Sequence, residues 1–194
     1  PCVHTIHGAS FHYGQSTPAY RAYIAAEKWA AKRTAHFISV ADDMTDVYVH
    51  AGIAPRDRFT TIYSGFDVDP FLSPPRPRDD VRSELGFAPD DVVIGKIARL
   101  FPLKGHEFVV PAAKMVIDRH PAARFLLVGD GILRESIERS LQKLGVAEHF
   151  TFTGLVPPAQ IPELLHAMDI VVHTSQWEGL ARVLPQGLIG GRAV

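Results

Sequence analysis

From Asp91 onward the chain alternates two hydrophobic periods. Val92-Val93-Ile94-Gly95-Lys96-Ile97-Ala98 is a β-rich apolar run. A helical stretch follows, with Phe108, Ala112, Met115 and Val116 at three- and four-residue spacing, closing near His120-Pro121. Phe125-Leu126-Leu127-Val128 reads as a buried strand broken by Gly129-Asp130-Gly131. Leu133, Ile137, Leu141 and Leu144 then share one face of a helix that Gly145 is placed to end. Phe150-Thr151-Phe152-Thr153 makes a third strand, Ile161, Leu164, Leu165 and Met168 a short helix, and Ile170-Val171-Val172-His173 a fourth strand. Strands alternating with helices over short connections predict a parallel sheet with helices on both faces. The unbroken apolar strands agree, because both of their sides must be covered.

Residues 1–72 read as the closing part of a second α/β unit. Strands are expected over Val3 to Ile6, His36 to Val40 and Phe59 to Tyr63, with helices over Ala19 to Arg33 and Asp42 to Ala51. Residues 73–90 carry Pro74, Pro75, Pro77 and Pro89 among Arg76, Arg78, Asp79 and Asp80, a composition that predicts an exposed connection between units. Residues 91–194 form the second unit. The fold class is therefore α/β, a pair of Rossmann-like domains with the first incomplete.

Composition narrows the function. The 194 residues carry a formal net charge of −1 with both signs interleaved, which gives no electrostatic footprint for nucleic acid. The single cysteine, Cys2, excludes an internal disulfide framework and fits a reducing, cytoplasmic compartment. No apolar run approaches the roughly 18–20 residues of a membrane span. The chain opens directly into a strand and stops at Val194, so both ends read as cuts and the fragment alone is expected to be inactive.

In parallel sheets ligands bind beyond the carboxyl ends of the strands. The first such end carries Ala98-Arg99-Leu100-Phe101-Pro102-Leu103-Lys104-Gly105, the second Gly129-Asp130-Gly131, the third Gly154-Leu155-Val156-Pro157, and the fourth Ser175-Gln176-Trp177-Glu178-Gly179-Leu180. Singly, each is an ordinary turn or a solvated cation. Together they put two cations, small-residue loops and helix N-termini on one edge, a setting that favours a diphosphate.

Those segments, in that order, resemble glycosyltransferase family 4, retaining enzymes of the GT-B architecture. The family pattern G-R-L-x-P-x-K-G is met from Ala98 to Gly105, V-G-D-G-x-x-R from Val128 to Arg134, F-x-G-x-V from Phe152 to Val156, and D-x-x-V-x-x-S-x-x-E-G from Asp169 to Gly179. His4-Thr5-Ile6-His7-Gly8 resembles the strand end that carries the family's active-site histidine, and Ile62 to Asp67 its P-N-G-V-D segment. The resemblance implies that Arg99 and Lys104 hold the donor diphosphate. It further implies that Glu178 and the amides of Gly179, Leu180 and Ala181 hold sugar hydroxyls and phosphate. By the same resemblance Gly129 would line the donor cleft, the Gly154–Val156 backbone would meet the base, and His7, with Gly8, would reach the donor sugar. Two departures are present. Ala98 replaces a glycine, and Gln186 stands where the family's second glutamate holds the ribose hydroxyls. An amide can still donate and accept there.

The implied reaction moves a sugar from a nucleoside diphosphate sugar to the hydroxyl of a glycan, lipid-linked or small-molecule acceptor, with retention and with no metal or other cofactor. A nucleotide-sugar epimerase or phosphorylase of the same architecture, or a binding relative without turnover, remains as the alternative. Three other features are read conservatively. Asp67-Val68-Asp69 has metal-site spacing but lies far in sequence from the phosphate loops. His4, His7 and His12 do not project to one side of a strand. Lys28, Trp29, Lys32 and Arg33 fit peripheral contact with the inner face of a membrane, or more simply a solvated helix face.

Overall fold

Parallel pairing organises two separate sheets in the computed structural model, which describes residues Pro1–Val194. The chain divides into one unit of Pro1–Phe66 with Trp177–Ala181 and another of Asp67–Gln176 with Arg182–Val194. In the first, β1 (Cys2–Ile6), α1 (Thr17–Ala31), β2 (Thr34–Ser39), α2 (Asp42–His50) and β3 (Phe59–Thr61) give a sheet of order β1-β2-β3. Ile6, Phe11, Phe37, Met44 and Tyr48 form its core. Phe37 stacks on Phe59 with ring centroids 4.8 Å apart. Ser10 and Tyr48 both donate to the Glu27 carboxylate, at 2.8 and 3.1 Å, which ties the loop after β1 to both helices.

The second unit opens with two short helices, α3 (Asp69–Leu72) and α4 (Arg78–Glu84). There follow β4 (Val92–Ile97), α5 (His106–Ile117), β5 (Ala123–Val128), α6 (Arg134–Leu144), β6 (Phe150–Gly154), α7 (Ile161–Ala167), β7 (Ile170–Val171) and α8 (Val183–Ile189). Sheet order is β6-β5-β4-β7, all parallel. Ile94, Phe125 and Leu127 pack with Val109, Ala113 and Ile137 of α5 and α6. On the opposite side, Gly95 lies against Met168, where a Cβ would overlap the sulfur. Helices therefore cover both faces, as the apolar strands predict.

Two details differ from the pattern reading. The buried apolar positions of α5 are Val109, Val110, Ala113 and Ile117, while Phe108 is 54% and Met115 63% exposed. This helix carries apolar residues on more than one stripe, and spacing alone does not say which stripe faces the sheet. The proline-rich stretch 73–90 also carries ordered structure. Arg78 of α4 bonds the Asp169 carboxylate at 2.5 Å and the Met168 carbonyl at 3.2 Å. Asp169 in turn accepts from the Val93 amide at 2.8 Å, so one carboxylate clamps α4, β4 and the start of β7 together.

Candidate functional site

The sheet order of the second unit creates a crevice. From β4 the chain steps outward through β5 and β6, then returns across to β7 on the other side of β4. Neighbouring strands whose connections run in opposite directions leave a gap at their carboxyl ends, where ligands of such sheets sit. The loops after β4 and β7 flank that gap. They carry Arg99, Lys104 and Thr174.

Hydrogen bonds between loops fix this edge. The Ala98 amide donates to Val128, Leu100 to Asp130, Gly129 to Gly154 and Leu133 back to Leu100, all at 2.9–3.0 Å. Gly129 adopts φ +133°, and a Cβ there would overlap the Ala98 carbonyl oxygen. Glycine is thus required both for conformation and for close approach. Gly105, at φ +71°, lies as tightly against the Thr174 carbonyl. The Thr174 hydroxyl reaches the Gly105 carbonyl at 2.9 Å and that of Lys104 at 3.3 Å, while Gln176 donates its amide to Leu103 at 2.8 Å. Arg99 spreads its guanidinium over the Phe101 ring, 5.1 Å from the centroid. The backbones bearing both candidate phosphate cations are therefore pinned to neighbouring loops.

Three side chains here escaped the sequence reading. Lys96 is only 2% exposed, and its Nζ donates to Thr174 Oγ1 at 2.8 Å. His106 is equally buried, with Nε2 paired to the Arg99 carbonyl at 3.0 Å. Burial, with help from Lys96 and Lys104, pushes its imidazole below the ordinary range despite the favourable bond to Arg99. The available signal was the position of Lys96 inside an apolar run. A charge on a strand covered on both faces must find a buried partner.

The other expected site residues are distributed as follows. Gly129 sits on the edge just described, and Val156 follows β6 two residues beyond Gly154. Gln186 lies within α8, which begins at Val183. Glu178, Gly179, Leu180 and Ala181 belong instead to the first unit, with His7 and Gly8. His7 follows the last residue of β1. A Cβ at position 179 would overlap the His7 carbonyl oxygen, so the two backbones touch. Beside them a cavity of about 510 Å³ is walled by Phe11, His12, Tyr13, Tyr20, Val47 and Trp177. The His12 and Tyr13 rings each lie 6.0 Å from Trp177.

The conservative readings have local partners. His4 packs against Phe37 at 5.6 Å. His12 Nδ1 accepts from the Gly14 amide at 3.1 Å. Asp67 accepts from the Asp69 amide at 3.3 Å, forming a turn before α3. Arg33 covers the Trp29 ring at 4.2 Å, and no helix is long and apolar enough to cross a membrane.

Two Rossmann-like parallel sheets, the second with a strand switch at its carboxyl edge, fit the GT-B class of proteins. Comparison with known sequences agrees. The model of glycosyl transferases group 1 matches residues 77–187, over half the chain, and that of Glycosyltransferase Family 4 matches residues 1–70. The chain belongs to the glycosyl transferases group 1 family.

Among its relatives is the UDP-Gal:alpha-D-GlcNAc-diphosphoundecaprenol alpha-1,3-galactosyltransferase of Escherichia coli. It is 28% identical over 185 residues, which cover 93% of this chain and 47% of that protein. The 2-deoxystreptamine glucosyltransferase of Streptomyces kanamyceticus is 26% identical over 171 residues, covering 88% and 44%. Anabaena Alr3699/HepE, solved in complex with UDP-glucose, superposes with TM-score 0.85 at 25% identity over 99% of this chain and 52% of its own. The chain spans about half the length of the curated relatives it matches.

Proposed function

We propose that the protein carrying this chain transfers a sugar from a nucleoside diphosphate donor to an acceptor hydroxyl, with retention at the anomeric carbon. One observation carries the reading: Arg99 and Lys104 stand on a single loop, pinned at both ends, beside the crevice between β4 and β7. Cations held in place before the reaction stabilise charge that grows on a departing diphosphate without reorganising. The binding of UDP-glucose by the Anabaena protein supports a donor of this kind.

In this scheme Glu178 and the amides of Gly179, Leu180 and Ala181 hold the donor sugar and its phosphate. Gln186 meets the ribose, the Gly154–Val156 backbone meets the base, and Gly129 admits the phosphates. His7 and Gly8 border the donor sugar, and contact between the His7 and Gly179 backbones supports that grouping. The acceptor hydroxyl attacks the anomeric carbon as the diphosphate leaves, and the leaving phosphate oxygen takes its proton. The aromatic cavity beside His7 suits a ring-bearing acceptor, since such walls bury apolar ring faces while leaving polar edges to be paired.

Gln186 favours a second reading, a protein that binds nucleotide sugars without turning them over. A single experiment separates the two. Full-length protein is screened for binding and transfer with UDP-, GDP- and ADP-sugars, with and without the His7→Ala change. Transfer by the parent, lost in His7→Ala while donor binding persists, supports the enzyme. Donor binding with no transfer by either protein establishes the second reading, and no binding of any donor sinks both.

A further inference from the structure

Lys96 has no place in the scheme above, yet it is buried near the carboxyl end of β4, below the loop that carries both cations in sequence. It lies on β4, the strand next to β7, on the same side as Ile94 and therefore toward α5. A lysine ammonium removed from water costs free energy unless it is fully paired. Its contact with Thr174 is not isolated. The Thr174 hydroxyl accepts from Lys96 at 2.8 Å and donates its own proton to the Gly105 carbonyl at 2.9 Å. A hydroxyl that accepts from a cation becomes a stronger donor, so the two bonds reinforce each other.

Gly105 directly follows Lys104, whose amide closes a turn onto the Phe101 carbonyl, and the Lys104 carbonyl is the second oxygen within reach of the same hydroxyl. At the other end of the loop, His106 holds the Arg99 carbonyl. Lys96 is thus one bond removed from the backbone that aims Lys104. The ammonium donates to Thr174 from beneath the loop, and its burial removes it from direct contact with solvent or donor.

We propose that Lys96 is a positioning residue for the donor site: through Thr174 it fixes the Lys104–Gly105 turn in the orientation that meets the diphosphate. The inference rests on the diphosphate reading of the crevice and adds to it the origin of the loop's rigidity. A displaced cation is a poor substitute for an aligned one, because small errors of placement at such sites are costly.

The test measures binding of UDP, GDP and ADP by calorimetry in the full-length protein, using whichever the parent binds most tightly. The variants are Lys96→Met, Thr174→Val, Thr174→Ser, Lys104→Ala and the double change Lys96→Met with Lys104→Ala. Melting curves accompany each. Lys96→Met and Thr174→Val are expected to weaken binding about tenfold, within the range seen for residues that act through a packed network. Thr174→Ser should recover most of the loss, since it restores the hydroxyl.

The decisive comparison is the double variant, which should bind no more weakly than Lys104→Ala alone, because the role proposed for Lys96 is exerted through that turn. Should Lys96→Met fail to fold, Thr174→Val and its serine rescue carry the same test. Folded Lys96→Met or Thr174→Val protein with parental affinity overturns the inference, as does an additive double variant. Normal affinity in Lys104→Ala itself overturns the diphosphate reading, and this inference with it.

Discussion

Strands β5 and β1 follow different rules of burial. On β5, adjacent residues Leu126 and Leu127 are both buried, so the strand is covered on its two faces. On β1, Ile6 is buried while Val3 is 56% exposed. A strand covered on both faces fixes every side chain along it, whereas a strand covered on one face fixes alternate ones. The two regions carry different parts of the candidate site. Loops bearing Arg99, Lys104 and Gly129 spring from the doubly covered sheet, where several inter-loop hydrogen bonds hold them. His7 follows directly on β1 and is steadied by one close backbone approach at Gly179. Inter-loop hydrogen bonds are thus concentrated on the edge that carries the two cations.

Core truncation gives the largest expected effect. Leu126→Ala and Leu127→Ala should each destabilise the protein by about 2–5 kcal/mol. On β1, Ile6→Ala should cost a comparable amount and Val3→Ala less than about 0.5 kcal/mol. Denaturant titration of the four variants checks this, and a β5 pair as unequal as the β1 pair would break the comparison. Next comes Lys104→Ala, which should slow transfer by about 3–4 kcal/mol, or roughly two to three orders of magnitude. Its melting temperature should barely move, because losing a surface-loop cation usually changes stability by under about half a kcal/mol. Initial rates at saturating donor, measured beside melting curves, decide whether the rigid edge serves chemistry or only folding.

A smaller effect is expected at the Asp169 clamp, a feature of the second unit. Burial alone would raise its carboxyl, but the Val93 amide and the Arg78 and Arg82 guanidiniums outweigh that and hold it below the ordinary aspartate value. A carboxyl lowered on folding stabilises the protein above its unfolded pKa, and the contribution is lost as pH falls through the folded one. Asp169→Asn should therefore cost about 1–3 kcal/mol at neutral pH. The variant should also lose less stability than the parent on acidification below about pH 4, as melting temperature against pH would show. The smallest expected change is Gln186→Glu, which should preserve or tighten donor binding through charge-assisted bonds to the ribose. Weakening by more than about tenfold, or roughly 1.4 kcal/mol, would remove Gln186 from the ribose site.

Much of this was legible in residue order. Continuous apolar runs such as Phe125–Val128 announce a strand covered twice, and the stripe Leu133, Ile137, Leu141 and Leu144 announces one face of a helix. Phe108 and Met115 misled because α5 is apolar on several sides, and periodicity cannot choose among stripes. Arg78 read as linker charge because its partner, Asp169, lies some ninety residues onward. Within the site, Arg99, Lys104 and Gly129 stood out by type and by their place after strands. Lys96 and Thr174 did not: the apolar run around Lys96 signals burial, but its acceptor, on the loop after β7, cannot be found from spacing.

The packing of Gly95 against Met168 bears on how the protein ages in an oxidising setting. Peroxide converts methionine to a sulfoxide, adding an oxygen to sulfur wherever the reagent can reach. Met115, on the outer side of α5, is 63% exposed and open to it. Met168 is fully enclosed, and its sulfur sits where even one extra carbon on Gly95 would collide. An added oxygen finds no room there while the sheet stays closed. Damage at Met168 should therefore track how often the second unit opens, while damage at Met115 tracks only the dose. The ratio of the two sulfoxides after a fixed exposure is then a record of opening frequency, written by the protein into its own side chains.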